Sequence, residues 1–454
     1  MKTMSLAEIV SAVEGSYGYP ADISVTSVST DTRKISSGSV FIALKGDTFD
    51  GHDFAAQAME LGAEAVITER PVEGARCIIV DSTAKALLDL AHYYRMKFDI
   101  PLVGITGSVG KTTTKDMIAC VLSRKFNTLK TQGNLNNEVG MPSTLLALDD
   151  DIQAAVIEMG MNHAGEMSRL SMCSSPTLCV ITNIGVSHIE NLGSQENILK
   201  AKLEILDGAF PDAPLILNRD DKLLANVDLR GSRKLMYYSS KKKDCEVYAS
   251  GTTVEDCKVT FSINYGGSKY PAVISVPGEH NIRNALAAFC VGVSLGIDPA
   301  ECAAGISDYK PEGMRQNIKQ VNGLTLIVDC YNAAPDSMKA ALSMLSQVSV
   351  AEGGQRICVL GDMLELGKNA KTYHKQVGEY TASSKADMLL CFGENSAYYI
   401  EGAVKKGFDP ERCRHFETRE ALAEHLKTVV REGDAVLFKG SRGMKLEEVV
   451  KEFE

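Results

Sequence analysis

The stretch PLVGITGSVGKTTTKDMIACVLSRKF, Pro101 to Phe126, constrains the fold more than any other in the chain. A short apolar run, PLVGIT, reads as a buried strand. It enters a glycine turn, Gly107-Ser108-Val109-Gly110, and the residues from Lys111 onward carry helical spacing. A strand that turns on glycines into a helix is the opening of a parallel α/β unit. The general phosphate-loop spacing G-x-x-x-x-G-K-[ST] would need glycine at Ile105, and the nearest glycines are Gly104 and Gly107.

Strand–helix alternation extends over most of the chain, so the fold class is α/β. Residues 1–99 hold strands in SVFIALKG, AEAVITE and RCIIVD, with helices in HDFAAQAMELGA and TAKALLDLAHYYRMKF, and predict a small α/β domain. Residues 100–314 predict a central domain with a phosphate-loop ATPase-type parallel sheet. Its further strands are AAVIEMG, LCVITNIG and APLILN. From about 234 to 277 the strands KLMYYSS, CEVYASG, KVTFSINYGG and PAVISV follow without helices, which predicts an added antiparallel sheet. HNIRNALAAFCVGVSLG returns to helix. Residues 315–454 place LTLIVDCYN, RICVLGDM, DMLLCFGE and AVLFKGSRG between helices, a Rossmann-like domain. Short linkers predict that the domains close over a shared cleft.

A chain of 454 residues is too long for one core and suits about three domains. Its net charge is −10 with no basic block, which argues against nucleic acid as a partner. Twelve cysteines without any C-x-x-C pair predict reduced thiols rather than a disulfide framework or a zinc site. The N-terminal segment lacks the apolar core of a signal peptide, and no run of about 18 apolar residues could span a membrane. A cytoplasmic monomer is expected.

Gly107, Ser108, Val109, Gly110, Lys111, Thr112 and Thr113 have the chemistry to cradle phosphates. Backbone N–H groups turn inward, the helix terminus adds partial positive charge, and Lys111 adds a full one. Thr112 offers a hydroxyl for Mg²⁺. Glu158 ends a strand, and Asn183 and His188 follow another, at the sheet edge where open α/β folds bind ligands. Taken alone, Glu158 reads equally as a surface acid and His188 as a structural histidine. Lys202 has Ile198, Leu199, Ile205 and Leu206 three and four residues away, so it lies on a buried helix face, unlike Lys200. Such a lysine must snorkel, pair or lose its charge, and a neutral one can add CO₂ to form a carbamate. His280 and Asn281 start a helix, where Asn281 reads as an N-cap or as a polar contact for a ligand.

Together these blocks resemble the Mur ligases of bacterial cell-wall synthesis. STDTRKISSGSVFIALKGDTFDGHDF is similar to the family's uridine-nucleotide segment, and GITGSVGKTTTK to its shorter phosphate loop. TQGNLNNEVGMPSTLL, EMGMNHAGEM, NIGVSHIENLGS, KAKLEIL, GEHNIRNALAA, LGDMLELG and LFKGSRGMKLE follow in family order. The resemblance implies an ATP-dependent, ADP-forming ligase of peptidoglycan precursor synthesis, within the branch that joins D-Ala-D-Ala to UDP-MurNAc-tripeptide through an acyl phosphate. It implies that Lys111 and the loop hold ATP, that Thr112 and Glu158 hold one Mg²⁺, and that His188 with a carbamylated Lys202 holds a second. Asn134, Asn136 and Asn137 would face substrate and the γ-phosphate. Asn281 and Asn332 would lie near adenine, and Arg315 and Asp329 near phosphates and ribose. Thr30, Asp31, Arg33, Lys45 and Gly46 would grip the UDP-sugar. The family usually reads Tyr-Asn-Ala-Asn-Pro, whereas Tyr331-Asn332-Ala333-Ala334-Pro335 has alanine at the second asparagine, which puts the detail of adenine contact in doubt.

The rival readings are a sibling or folylpolyglutamate-type ligase adding one amino acid, a small-molecule kinase, and a non-catalytic ATP-regulated binder. TQGNLNNEVGMPSTLL and LGDMLELG disfavour the first. A kinase would yield a stable phosphorylated product, and the intact Lys111, Thr112, Glu158, His188 and Lys202 set disfavours the binder.

Overall fold

The computed structural model describes residues 1–454 except Asp47, Arg230, Ser232, Asp256, Cys257 and Glu312. Besides a two-stranded antiparallel pair, Met4–Ser5 with Ser24–Val25, three larger sheets succeed one another along the chain. Near the N-terminus Ser27–Ser29, Ser39–Ile42, Ala63–Thr68 and Cys77–Ile79 pair in that order, all parallel. Val40, Ile42, Ala65, Ile67 and Ile78 from these strands are fully buried, as expected for a parallel sheet covered on its faces.

The central sheet has nine strands in the order Ser268–Ile274, Lys258–Tyr265, Val247–Glu255, Leu235–Ser239, Leu215–Asn218, Leu178–Ile181, Leu102–Thr106, Ala154–Glu158 and Thr128–Lys130. The expected antiparallel unit is part of this sheet rather than separate from it. Leu235–Ser239 pairs parallel to both of its neighbours, and only the pairings among Val247–Glu255, Lys258–Tyr265 and Ser268–Ile274 are antiparallel. Residues 219–234 are long enough to carry a parallel crossover without an α-helix, so the absence of a helical pattern misled the sequence reading. The strand Leu102–Thr106, buried at every residue, leads into the helix Lys111–Leu122 as expected.

The C-terminal sheet orders Asn317–Val321, Leu324–Asp329, Ala435–Lys439, Arg356–Gly361, Met388–Phe392 and Cys413–Phe416. The first pair is antiparallel and the rest parallel. The described cysteines are free thiols, and most are buried. No helix among the described residues is long and apolar enough to cross a membrane.

The N-terminal and central units are joined through a shared core. Met4, Leu6, Leu87 and Leu90 belong to the same hydrophobic cluster as Ile157, Leu170 and Ile205. Arg95, 2% exposed, donates to the carbonyls of Ser174, Phe98 and Ile100, and the Tyr94 hydroxyl donates to the carbonyl of Leu148 at 2.6 Å. These bonds pin the C-terminal end of helix Thr83–Arg95 to the central unit.

Ala334, the departure from the family pattern, occupies the N-cap of helix Pro335–Gln347. Its side chain has no acceptor for the first-turn N–H groups, and the Ser337 hydroxyl answers only in part, accepting from the Ala334 N–H at 2.9 Å. An asparagine here would supply the missing acceptor. Ala334→Asn is expected to stabilise this helix by about 1 kcal/mol. Calorimetry should show the C-terminal unfolding transition rise by roughly 2–4 °C.

Candidate active site

The loop Gly107–Gly110 needs its glycines for backbone reasons. Gly107 has φ 154°, and a Cβ there would fall 1.9 Å from the Thr182 hydroxyl. Gly110 has φ 83° and caps the helix Lys111–Leu122. Asn183, at the end of the neighbouring strand, braces the loop from below. Its side-chain oxygen accepts from the Val109 N–H at 2.9 Å, its amide donates to the Val109 carbonyl at 2.7 Å, and its carbonyl accepts from the Ser108 N–H at 3.1 Å. The Thr182 hydroxyl also donates to the Val109 carbonyl, and Ser108 Oγ accepts from the Gly185 N–H. The Lys111 ammonium donates to the Gly107 carbonyl at 2.7 Å. Burial lowers its pKa, and the Glu158 carboxylate opposes that shift.

Glu158 is 1% exposed, so its oxygens need partners. Oε2 accepts from the Thr112 hydroxyl at 2.8 Å, and Oε1 from the Asn136 amide at 2.7 Å. The surface-acid reading is therefore discarded. Thr131 Oγ1 fixes the same strand end by accepting from the Glu158 N–H. Asn137 accepts from the N–H groups of Val139 and Gly140 and shapes the turn that presents Asn134 and Asn136 to the cleft.

Lys202 lies on the buried face of helix Gln195–Leu203, 2% exposed, while Lys200 faces solvent. Burial first, and the Lys111 charge second, push its pKa well below the ordinary lysine value. Snorkelling is thus excluded, since the side chain does not reach solvent. His188 adopts a left-handed backbone, φ 62°, at the start of the short helix Ile189–Leu192. Its Nδ1 lies 3.2 Å from Glu365 Oε2 of the C-terminal unit, but without the alignment of a hydrogen bond.

A cavity of about 800 Å³ separates the central and C-terminal units. Ser108 to Thr113, Asn134, Asn136, Asn137, Glu158 and His188 line one wall, and Arg315, Asp329 and Asn332 the other. The expected shared cleft is therefore present. Asp329 is paired with Lys439 at 2.8 Å, and Lys439 also donates to the Asn332 carbonyl. The Arg315 guanidinium stacks on Tyr331, 3.9 Å from the ring centre. Asn281 is not an N-cap: Gly278 holds that place, and Asn281 sits inside the first turn, fully buried. Its amide donates to the Gln316 side-chain oxygen at 2.7 Å. That bond orients Gln316 so that its amide nitrogen donates to His280 Nε2 at 2.8 Å.

Thr30, Asp31, Arg33, Lys45 and Gly46 lie apart from this cleft. They follow the adjacent parallel strands Ser27–Ser29 and Ser39–Ile42, at their carboxyl ends. Hydrogen bonds from the Arg33 side chain and N–H hold the Asp31 carboxyl down to about 2. Sequence reasoning missed Lys439, Gln316 and Thr131. A lysine closing the apolar run AVLFK was a usable signal for the first; the others stand in loops or on a short edge with no pattern around them. His374 is fully buried and accepts from the Met363 N–H at 3.1 Å, so it supports a loop rather than facing the cleft.

Burial first, then the Arg283 charge, push the His280 imidazole down to about 4. The folded protein therefore holds it neutral where the unfolded chain, near 6.5, would protonate it. This stability is complete above 6.5 and is lost as pH falls toward 4. The loss is on the order of 1–3 kcal/mol. Urea denaturation of wild type and His280→Gln across that window should show a shallower decline in the variant.

Known families match most of the chain. The Mur ligase middle domain matches residues 105–292, the Mur ligase glutamate ligase domain 314–442, and the Mur ligase family catalytic domain 24–95. The UDP-N-acetylmuramoyl-tripeptide–D-alanyl-D-alanine ligase of Bacillus subtilis is 40% identical, with 99% of this chain and 97% of that protein aligned. The Escherichia coli protein of the same name is 36% identical, with 99% and 98% aligned. Among solved structures, MurF from Acinetobacter baumannii superposes with a TM-score of 0.92 at 30% identity, covering 100% of this chain and 99% of that one. MurF from Thermotoga maritima, solved with ADP, gives 0.84 at 28% identity, covering 94% and 97%. With this cleft and these full-length likenesses, the chain belongs to the Mur ligase family.

Proposed function

We propose that this protein is the ATP-dependent ligase that joins D-alanyl-D-alanine to UDP-N-acetylmuramoyl-tripeptide, giving the pentapeptide precursor, ADP and phosphate. The observation that carries the reading is the convergence of Lys111, Thr112, Glu158 and Asn136 at one wall of a cleft, in a chain related over its full length to ligases of that name. The units divide near residues 99 and 314. Residues around Thr30, Asp31, Arg33, Lys45 and Gly46 bind the uridine diphosphate sugar, and the cleft binds ATP and the reacting ends.

A carboxylate is a poor electrophile. An oxygen of the tripeptide's terminal carboxylate attacks the γ-phosphorus of ATP, the bond to the ADP oxygen breaks, and an acyl phosphate results. Such a transfer is helped mainly by positioning and charge neutralisation. The loop N–H groups and Lys111 hold the phosphates, and Asn136 fixes Glu158. The dipeptide's amine, in its neutral form, then attacks the acyl carbon, the bond to the phosphate oxygen breaks, and the departing phosphate carries the proton that the nitrogen loses. Enclosure between the domains keeps water from the acyl phosphate.

Thr112 and Glu158 bring two hard oxygen donors together and fit a Mg²⁺ site. By the family resemblance His188 and a carbamylated Lys202 would hold a second, and the burial that lowers the Lys202 pKa favours the neutral amine that adds CO₂. Mg²⁺ bound there would neutralise charge on the transferring phosphoryl group. Asn281, Asn332, Arg315 and Asp329 complete the nucleotide's surroundings.

Phosphate release from ATP should require both the UDP-MurNAc-tripeptide and D-Ala-D-Ala, with a product heavier by one dipeptide residue pair. Activity with a single amino acid in place of the dipeptide would move the protein to a sibling specificity. Lys202→Ala should lose roughly a hundredfold or more in kcat. Short-chain carboxylic acids should restore part of that loss by replacing the carbamate; absence of rescue, with the fold intact by circular dichroism, would remove the carbamate from the account.

A further inference from the structure

The loop that follows strand Arg356–Gly361 reaches across the cleft and touches the central unit. Glu365 on this loop has a left-handed backbone, φ 61°, which an ordinary side chain adopts only when its surroundings hold it there. The holding groups are visible. The Met363 N–H donates to His374 Nε2, whose ring is fixed by its other nitrogen donating to the Ala370 carbonyl at 2.7 Å. The Leu364 N–H donates to the Ser441 hydroxyl at 3.0 Å, and the Ser441 N–H returns to the Asp362 carbonyl. Asp362 is itself anchored by the Asn395 N–H. Three surrounding segments therefore present one acidic side chain to the cleft.

Other acids that line the cleft already have partners. Glu158 is held by Thr112 and Asn136, Asp329 by Lys439, and Glu279 by Lys241 and Arg283. Asp220 accepts from Ser239 and Ser240, and Asp221 from the backbone of Ile184, Leu223 and Leu224. Asp336 stands in the first turn of its helix, where the helix terminus offsets its charge. Glu365 is paired with His188 at 3.2 Å, and its side chain remains 70% exposed. With Asp329 and Asp336 it is one of the C-terminal unit's carboxylates that line the cleft, and it is the one that faces His188 of the central unit.

We propose that Glu365 binds and orients the amino group of the incoming dipeptide. The proposal rests on the ligase reading given above. A dipeptide reaches the enzyme as a cation at its amino end, and a carboxylate on the C-terminal unit facing the central unit is the group that captures it and aims its nitrogen. Because the loop belongs to the C-terminal unit and the acyl phosphate to the central one, the amine becomes correctly placed only when the two meet. Asp362, His374 and Ser441 are positioning residues for this contact and do not touch the substrate.

The test separates the two half-reactions. Glu365→Gln and Glu365→Asp are assayed for ligation with D-Ala-D-Ala. Acyl phosphate is trapped separately with hydroxylamine, without dipeptide. Losing a charge-assisted hydrogen bond should raise KM for the dipeptide by roughly 10- to 100-fold in Glu365→Gln. KM for ATP and for the UDP-tripeptide should stay within about twofold of wild type, Glu365→Asp should recover part of the loss, and hydroxamate should form at the wild-type rate. His374→Gln should raise the same dipeptide KM without slowing hydroxamate formation. An unchanged dipeptide KM in Glu365→Gln overturns the proposal. So does a parallel loss of hydroxamate, which would place Glu365 in phosphoryl transfer beside His188. A wild-type enzyme that forms hydroxamate yet accepts no dipeptide overturns the ligase reading and this proposal with it.

Discussion

The Glu158 carboxylate is the constraint on which the site is built. A buried charge is tolerated only with donors around it, and here the donors come from two separate segments, Thr112 from the loop helix and Asn136 from the turn after strand Thr128–Lys130, while Thr131 holds the Glu158 strand end by accepting from its N–H. Meeting this one requirement fixes the relative positions of those segments. The phosphate loop then has only one orientation in which Asn183 can brace Val109 from the neighbouring strand. The same arrangement leaves two oxygen donors converging on a point where a divalent ion would find ligands, so the packing solution and the chemical site are one feature.

Hydrophobic clusters run across both domain junctions, but many of the residues that face the cleft on the C-terminal side are polar. On the N-terminal side apolar core is continuous and Arg95 caps three carbonyls, which favours a fixed relation between the units. On the C-terminal side the side-chain links that line the cleft are polar: Asn281 to Gln316, Gln316 to His280, and the approach of His188 to Glu365. Polar links break and re-form at small net cost because water replaces them. A ligase that must admit ATP and an amine and then exclude water needs its movable junction beside the cleft, and the polar seam lies there.

Much of this was legible in the sequence because local rules and tertiary demands agree there. The strand Leu102–Thr106 and its glycine turn could be read from spacing alone, and the buried face of helix Gln195–Leu203 followed from the neighbours of Lys202. What was not legible depends on contacts between distant residues. The parallel pairing of Leu235–Ser239 has no local signature, since strand direction is set by the connection and not by composition. Asn281 looked like a cap because it begins an apolar period, but the helix opens three residues earlier at a glycine with φ 112°. The motif LGDMLELG marks the loop that carries Glu365, but nothing around it tells that a buried histidine, a serine from the last strand's loop and an aspartate would hold that loop against the central unit.

Two buried lysines of the central unit show how far side-chain type falls short of function. Lys115 and Lys202 are each 2% exposed, and each lies on a helix beside the loop domain's core. Lys115 donates to the Thr131 carbonyl at 2.8 Å and lies 3.3 Å from Asp116, so its charge is met and its role is to tie the loop helix to the segment that orients Glu158. For Lys202, burial first and the Lys111 charge second work against its proton. Burial disfavours an ammonium and an anion alike, so of the two causes only the Lys111 charge distinguishes them. That charge, which opposes an ammonium at Lys202, is the part of its surroundings that would favour a carbamate, and it comes from the start of a helix nearly a hundred residues earlier.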